Sequence, residues 1–417
     1  MTRPRFYYGW VIVAVSGITL LVAFGIRLSF AVYFVTLTEE FGWQRAETAL
    51  IFSISMVVFA ATSLFAGIAI DRLGARFVFS LGAAILALGL FLSSFIHSLN
   101  QLILTYSVVA GLGITILGLG PQAGHLAAWF RRQLGLAIGL AFAGTGLGTL
   151  ILTPAVEMII ANWGWRIAYR FLAVLTVLLI PLLLLFIRRP IFQEWNTNNR
   201  PASEPQQNTS ARRKNWTLPS ALRTPSFWLV ILAALCAIGP LRMLTVHQLA
   251  VAVGAGFDRL FAAAVIGFSG AVTAVAFIGF GTLSDKIGRQ QTYLIGSICL
   301  ILAIGILALL QTPQQGAWLV AYAILLGLGE GSRASLVTAV ASDLFPGQAL
   351  GAINGAVGSA FAVGAALFPW FAGYIFDLSG AYTTAFILAG ITIVISTIAL
   401  WLAQSLLPRH RMPKAPI

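Results

Sequence analysis

Charge is scarce in this chain. Asp, Glu, Lys and Arg make up only 9% of its 417 residues, where a soluble domain carries about 25%. That shortage excludes an ordinary water-exposed surface. Cysteine is nearly absent: Cys236 and Cys299 are the only two, both inside apolar stretches, so neither a disulfide framework nor metal-ligand spacing exists. The four histidines, His97, His125, His247 and His410, are scattered. No nucleophile, base or metal cluster gathers at one depth, which argues against a membrane-embedded enzyme, and no cofactor or metal is implied. Alternating ten-residue strands are missing, which excludes a membrane barrel. A small-residue cleavage site is missing after the basic start MTRPRFYYGW, so the first hydrophobic run reads as a span and not as a removable signal.

Apolar sequence is plentiful: 59% of residues are hydrophobic and the mean hydropathy is +0.93. Runs of roughly 20 residues recur, long enough to cross a bilayer as helices. Twelve spans are predicted, at 8–37, 46–70, 77–96, 101–128, 134–160, 167–187, 226–250, 260–283, 292–311, 316–342, 350–375 and 381–405. The polar stretch between the sixth and seventh reads as a flexible linker. The division is a six-helix bundle over 1–187, a linker over 188–225, a second six-helix bundle over 226–405 and a tail over 406–417. The net charge of +13 does not imply nucleic acid. Of 25 Lys and Arg, only Arg45, Arg166, Arg259 and Arg170, the last at the outer end of span six, fall on the side away from the termini, and only Arg27, Arg242 and Arg333 fall deep inside spans. The other 18 lie on the side of the termini and linker, which the positive-inside rule places in the cytoplasm. Tyr7, Tyr8, Trp10, Trp129 and Trp228 at inner ends, and Trp43, Trp163, Trp165 and Trp318 at outer ends, are expected as interfacial anchors. The short linker and the lack of a targeting sequence suit a multi-pass protein of a prokaryotic inner membrane, and one chain suffices for function.

A repeat organises the chain. GIAIDRLGAR after span two and GTLSDKIGRQ after span eight share a pattern: Gly67, Asp71, Arg72 and Gly74 match Gly281, Asp285, Lys286 and Gly288 at a constant offset of 214. Two halves of parallel topology are a transporter architecture, with the substrate site near the midplane. These loops resemble the signature of the major facilitator superfamily, G-x-x-x-D-[RK]-x-G-[RK]. The first copy departs where Ala75 precedes Arg76, and the second keeps Arg289 in place. The resemblance implies that the two sets act as a cytoplasmic latch that breaks as the halves rock; positive-inside topology alone explains the basic residues but not the matched acids. More narrowly, YYGW at 7–10, FGIRLSF at 24–30, EEFGWQRAE at 39–47, GLAIGLAFAGTGLG at 135–148, ALGAINGAVG at 349–358 and AGYIFDLSGAY at 372–382 resemble bacterial relatives of monocarboxylate transporters and the oxalate–formate antiporter. That resemblance implies secondary transport of small organic anions. The charged positions of spans eight and eleven in those families do not carry over, because span eight has no charge beyond Arg259 and span eleven none before Asp377.

The positive charge must therefore come from elsewhere. A charge in mid-membrane costs at least ~3 kcal/mol on insertion scales, so it usually faces water or a partner. Arg27 lies in span one, Arg242 and His247 in span seven, Glu330 and Arg333 in span ten. In the superfamily that the loops resemble, spans one, four, seven and ten line the cavity. Arg333 is the leading candidate for a substrate carboxylate, because guanidinium offers a two-point fork; the alternative is an ion pair with Glu330 one turn earlier. Arg27 is a second candidate, against a structural bond to helix carbonyls. His247 and Arg242 are weaker ones, Arg242 because it follows Gly239-Pro240 and can serve backbone groups freed there. Glu330 and His247 are the rival proton sites or counter-charges. Glu157 is expected at the interface. In spans five and eleven, Gly135 and Gly139 match Gly351 and Gly355 at offset 216, as faces for sliding or for simple packing.

The expected function is alternating-access transport of small monocarboxylate-like anions, coupled to protons or exchanging one anion for another. The alternative keeps the fold and makes it an exporter of larger, drug-like amphiphiles. A non-transporting sensor would keep a soluble signalling domain, and the linker is too short and polar to be one.

Overall fold

The computed structural model describes residues 7–130, 133–188, 216–346 and 350–406, the side chains of Leu64 and Asp71 excepted. Among them run twelve helices long and apolar enough to cross a membrane. They are α1 Gly9–Phe41, α2 Arg45–Leu73, α3 Ala75–Ser93, α4 Leu99–Trp129, α5 Leu134–Trp163 and α6 Trp165–Phe186. The second half holds α7 Pro225–Gly254, α8 Arg259–Ile287, α9 Arg289–Leu309, α10 Gly316–Leu344, α11 Leu350–Ser379 and α12 Thr383–Leu406. No strand occurs among the described residues. Most helices outrun the predicted spans at one or both ends, because backbone hydrogen bonding continues past the last apolar residue, while α3 and α9 stop two or three residues short of theirs.

Two helices of the first half, α1 and α4, are interrupted. α1 is interrupted at Ser29, whose hydroxyl donates to the Ile26 carbonyl at 2.9 Å. α4 turns from α to π geometry over Ile103–Ala110 and breaks again before Leu119. The Ser107 hydroxyl pins the π segment by donating to the Ile51 carbonyl of α2 at 2.6 Å. The repeat loops explain two of their own glycines: Gly74 and Gly288 adopt φ of +86° and +91° in the turns from α2 to α3 and from α8 to α9, where a Cβ would be strained.

Within each half α1 packs on α5 and α7 on α11; between halves α5 meets α8 and α2 meets α11. The inter-half contact is close at mid-height and on the side away from the termini. A Cβ at Gly146 of α5 would land on the Gly270 carbonyl of α8, and one at Gly373 of α11 would land on the backbone of Arg45 and Ala46 at the start of α2. On the terminal side the same helices stand apart: Gly67, Gly135, Gly139, Gly281, Gly351 and Gly355 have nothing within 4 Å of an added Cβ. The glycine run of α5 thus divides. Gly144 and Gly148 pack on Gly17 and Leu21 of α1, while a Cβ at Gly135 or Gly139 would meet open space.

Two expectations need correction. The linker does not reach to 225 as flexible chain: Trp216 packs edge-on to Phe345, and Thr217 caps a short helix, Leu218–Leu222, against the second half. Residues 189–215 and the tail beyond 406 lie outside the described residues. Trp129 and Trp165 are buried rather than interfacial; Trp165 donates from Nε1 to Glu40 at 2.5 Å. Glu157, near the end of α5 away from the termini, is buried within the protein.

Candidate functional site

Arg27 sits two residues before the break in α1. Its side chain is buried, with Nη2 donating to the Met56 sulfur at 2.7 Å and the guanidinium 4.9 Å and 5.7 Å from the ring centres of Phe59 and Phe24. No carboxylate pairs with it among the described residues. Arg242 occupies the equivalent place in the second half, at an offset of 215, between the offsets of the loop and glycine repeats. Its helix, α7, packs on the Phe30–Phe41 part of α1, just beyond Arg27. Arg242 Nη2 donates to Glu330 Oε1 of α10 at 2.8 Å, and the Thr273 hydroxyl of α8 lies 3.4 Å from Oε2. Arg27 without a carboxylate and Arg242 with one leave a single net positive charge on this pair of equivalent residues. Arg242 is thus held by an acid, not by backbone groups freed at Pro240.

Glu330 therefore does not pair with Arg333, against expectation. Arg333 is fully buried, its guanidinium 4.5 Å from the Tyr293 ring centre of α9, and none of its three nitrogens has a hydrogen-bond partner among the described residues. One turn along α10 carries a side chain to a different neighbour: Glu330 turns to α7 and α8, Arg333 to α9.

His247 belongs to a third group, on the side away from the termini. Its Nε2 donates to the Pro369 carbonyl at 2.8 Å, so Nδ1 accepts from the Tyr382 hydroxyl at 2.8 Å. Tyr382 accepts from Arg45 Nη1 at 2.7 Å, and the Asp377 carboxylate accepts from the backbone N–H groups of Arg45 and Ala46 at 3.0 and 2.8 Å. Phe34 of α1 covers the imidazole edge-on at 4.8 Å. Arg259 and Glu39 add an ion pair across the halves. Burial, outweighing Arg45, pushes the Tyr382 hydroxyl up to about 12, so it stays protonated at neutral pH. Arg45, Asp377 and Tyr382 lie in EEFGWQRAE and AGYIFDLSGAY, stretches that carry the family resemblance; that they meet one another is legible only in the fold.

On the terminal side a cavity of about 1460 Å³ runs along the first half. Arg72, Arg76 and Arg188 line its mouth, His125 its wall, and Phe59 its inner end, where Phe59 also flanks Arg27. The repeat loops stand open here. Arg72, Arg76, Asp285 and Lys286 are exposed, and Arg289 pairs with Asp343 of its own half, Nε to Oδ2 at 2.5 Å. The side chain of Asp71 lies outside the described residues. No group of three His, Cys, Asp or Glu able to hold a metal occurs among the described residues.

The family model of the Major Facilitator Superfamily matches residues 15–332 and 300–416. Monocarboxylate transporter 12 of Homo sapiens is 28% identical over 95% of this chain and 80% of its own length. Monocarboxylate transporter 11 of Homo sapiens is 28% identical over 92% and 80%. Among solved structures, a bacterial homologue of the human lysosomal transporter Spinster, inward-facing and occupied, superposes with a TM-score of 0.73 at 18% identity over all of both chains. The nucleoside transporter NupG gives 0.73 at 13% identity over 94% of this chain and 99% of that one. These relatives are transporters and not enzymes. With twelve membrane-length helices in two related halves, the chain belongs to the Major Facilitator Superfamily of multi-pass membrane transporters.

Proposed function

We propose that the chain carries small organic anions of the monocarboxylate type across a plasma membrane, by rocking its two halves about a site between Arg27 and Arg242. The observation that carries this reading is the single uncompensated positive charge where the halves meet, on a guanidinium whose polar contact is a thioether. A monoanion is the ligand that neutralises it. The basic mouth of the vestibule draws anions inward. The termini are cytoplasmic, so the open side is the inward one, and one chain is the working unit.

Glu330 supplies the coupling. While ionised it occupies Arg242; a proton on Glu330 releases Arg242 to the substrate carboxylate, so proton and anion travel together. If Glu330 keeps its charge, the same site exchanges one anion for another. His247 is the second proton site, its Nδ1 acceptor facing the Tyr382 hydroxyl. The loop sets, Gly67, Asp71, Arg72, Gly74 and Arg76 with Gly281, Asp285, Lys286, Gly288 and Arg289, act as the latch of the opposite state. Arg333, fully buried against α9, lies off this path. The size of the vestibule is what favours the alternative, an exporter of larger amphiphiles.

Ligand that binds only the folded protein raises its melting temperature. Purified wild type is expected to be stabilised by at least one of acetate, lactate, pyruvate and oxalate, and Arg27→Gln by none. Stabilisation by lipophilic cations or neutral amphiphiles, with no response to the acids, would turn the assignment to the exporter.

A further inference from the structure

Three tyrosines stand inside the first half with nothing to bond. Tyr33 of α1, Tyr106 of α4 and Tyr169 of α6 are 1%, 2% and 0% exposed. None of their hydroxyls has a hydrogen-bond partner among the described residues. Tyr33 stacks on Tyr169 at 4.1 Å between ring centres, and Tyr106 tilts against Tyr169 at 6.1 Å. The Tyr106 ring also stacks at 5.4 Å on Phe30, three residues after Arg27 on α1. A buried hydroxyl left unpaired is costly, and three together are not an accident of packing when each ring could be a phenylalanine.

The second half shows what this place looks like when it is satisfied. Tyr322 of α10 stands 216 residues after Tyr106, and Gln248 of α7 stands 215 after Tyr33. There the Tyr322 hydroxyl donates to Gln248 Oε1 at 2.8 Å, buried and closed. The first half replaces the amide by a phenol and leaves the tyrosine open. It also places Tyr106 on the π segment Ile103–Ala110. One wide turn inserted in a helix re-aims the side chains that follow, and such turns gather at functional sites. The equivalent helix α10 is α-helical throughout.

We propose that Tyr106 is the second ligand of the anion held by Arg27, its hydroxyl donating to the carboxylate, with Tyr33 and Tyr169 fixing its ring. This rests on the anion-transport reading above and adds to it a binding residue and the reason for the π turn. Guanidinium and phenol O–H can both donate to the carboxylate, and no acid pairs with Arg27, which suits an anion.

The test compares Tyr106→Phe with Tyr322→Phe, the same deletion of one oxygen in equivalent places, by thermal stabilisation and by direct titration with acetate, lactate, pyruvate and oxalate. Tyr106→Phe is expected to melt at or above the wild-type temperature without ligand and to bind the preferred acid about tenfold or more weakly, the effect of a lost hydrogen bond to a charged group. Tyr322→Phe is expected to melt lower, leaving Gln248 unpaired, and to keep its response to the acid. Wild-type affinity in Tyr106→Phe overturns the assignment of Tyr106 while leaving the anion site on Arg27 standing. A wild type that responds to none of the acids overturns the anion reading itself, and this inference with it.

Discussion

At the residue scale the Arg242–Glu330 pair is the most exposed to test, because its two members are unequal when separated. Breaking a buried pair by removing one partner leaves the other charge uncompensated and costs about 3 kcal/mol or more; with each side chain 19% exposed, screening lowers that to roughly 2 kcal/mol. Glu330→Gln is therefore expected to melt below wild type, and the double variant R242Q/E330Q to recover most of the loss. If Glu330 carries the proton, Glu330→Gln also removes the acceleration of uptake on acidifying the outside; retention of that acceleration moves the coupling to His247. The charged residues were legible in the sequence because a membrane-embedded charge is rare. Their partners were not. Helical spacing joins Glu330 to Arg333, but the crossing of α7 decides that Glu330 meets Arg242. The offset of 215 that relates Arg27 to Arg242 was present in the sequence, between two offsets already visible, and marks them as one feature copied twice.

At the scale of elements, the proposed rocking of the halves turns on where helices pack and where they stand apart. Gly146 and Gly270 touch across the α5–α8 crossing, so Gly146→Val has no room and is expected to lower the melting temperature strongly, as overpacking does. Gly135, Gly139, Gly351 and Gly355 face open space. Alanine at Gly351 or Gly355 is therefore expected to leave the melting temperature within about 1–2 °C of wild type while slowing transport, since under the proposed rocking these faces meet when the terminal side closes. Equal transport rates in wild type and Gly351→Ala would show that they never do. The existence and order of the helices followed from hydropathy alone. The π turn in α4 did not, because no residue pattern in ILTYSVVA distinguishes it; it is set by the fit of α4 between α2 and α3. The glycine stripes were visible, but which glycines pack and which wait depends on the tilt of one half against the other.

Across the whole molecule, the side away from the termini is held by few groups: Asp377 on the start of α2, Arg45 on Tyr382, Tyr382 on His247, and Arg259 on Glu39. Asp377→Asn and Tyr382→Phe are expected to raise the labelling rate of a cysteine introduced at Phe34, which is buried in this state; unchanged labelling in both would remove these contacts from the closure. The most direct measurement of the central claim is exchange of a labelled monocarboxylate by wild type, Arg27→Lys and Arg27→Gln in proteoliposomes. The charge between the halves predicts that Arg27→Lys, which keeps the charge and loses the fork, is slowed several-fold, and that Arg27→Gln falls about a hundredfold, in line with removal of a charged ligand from a desolvated site. Transport by Arg27→Gln at the wild-type rate would contradict it.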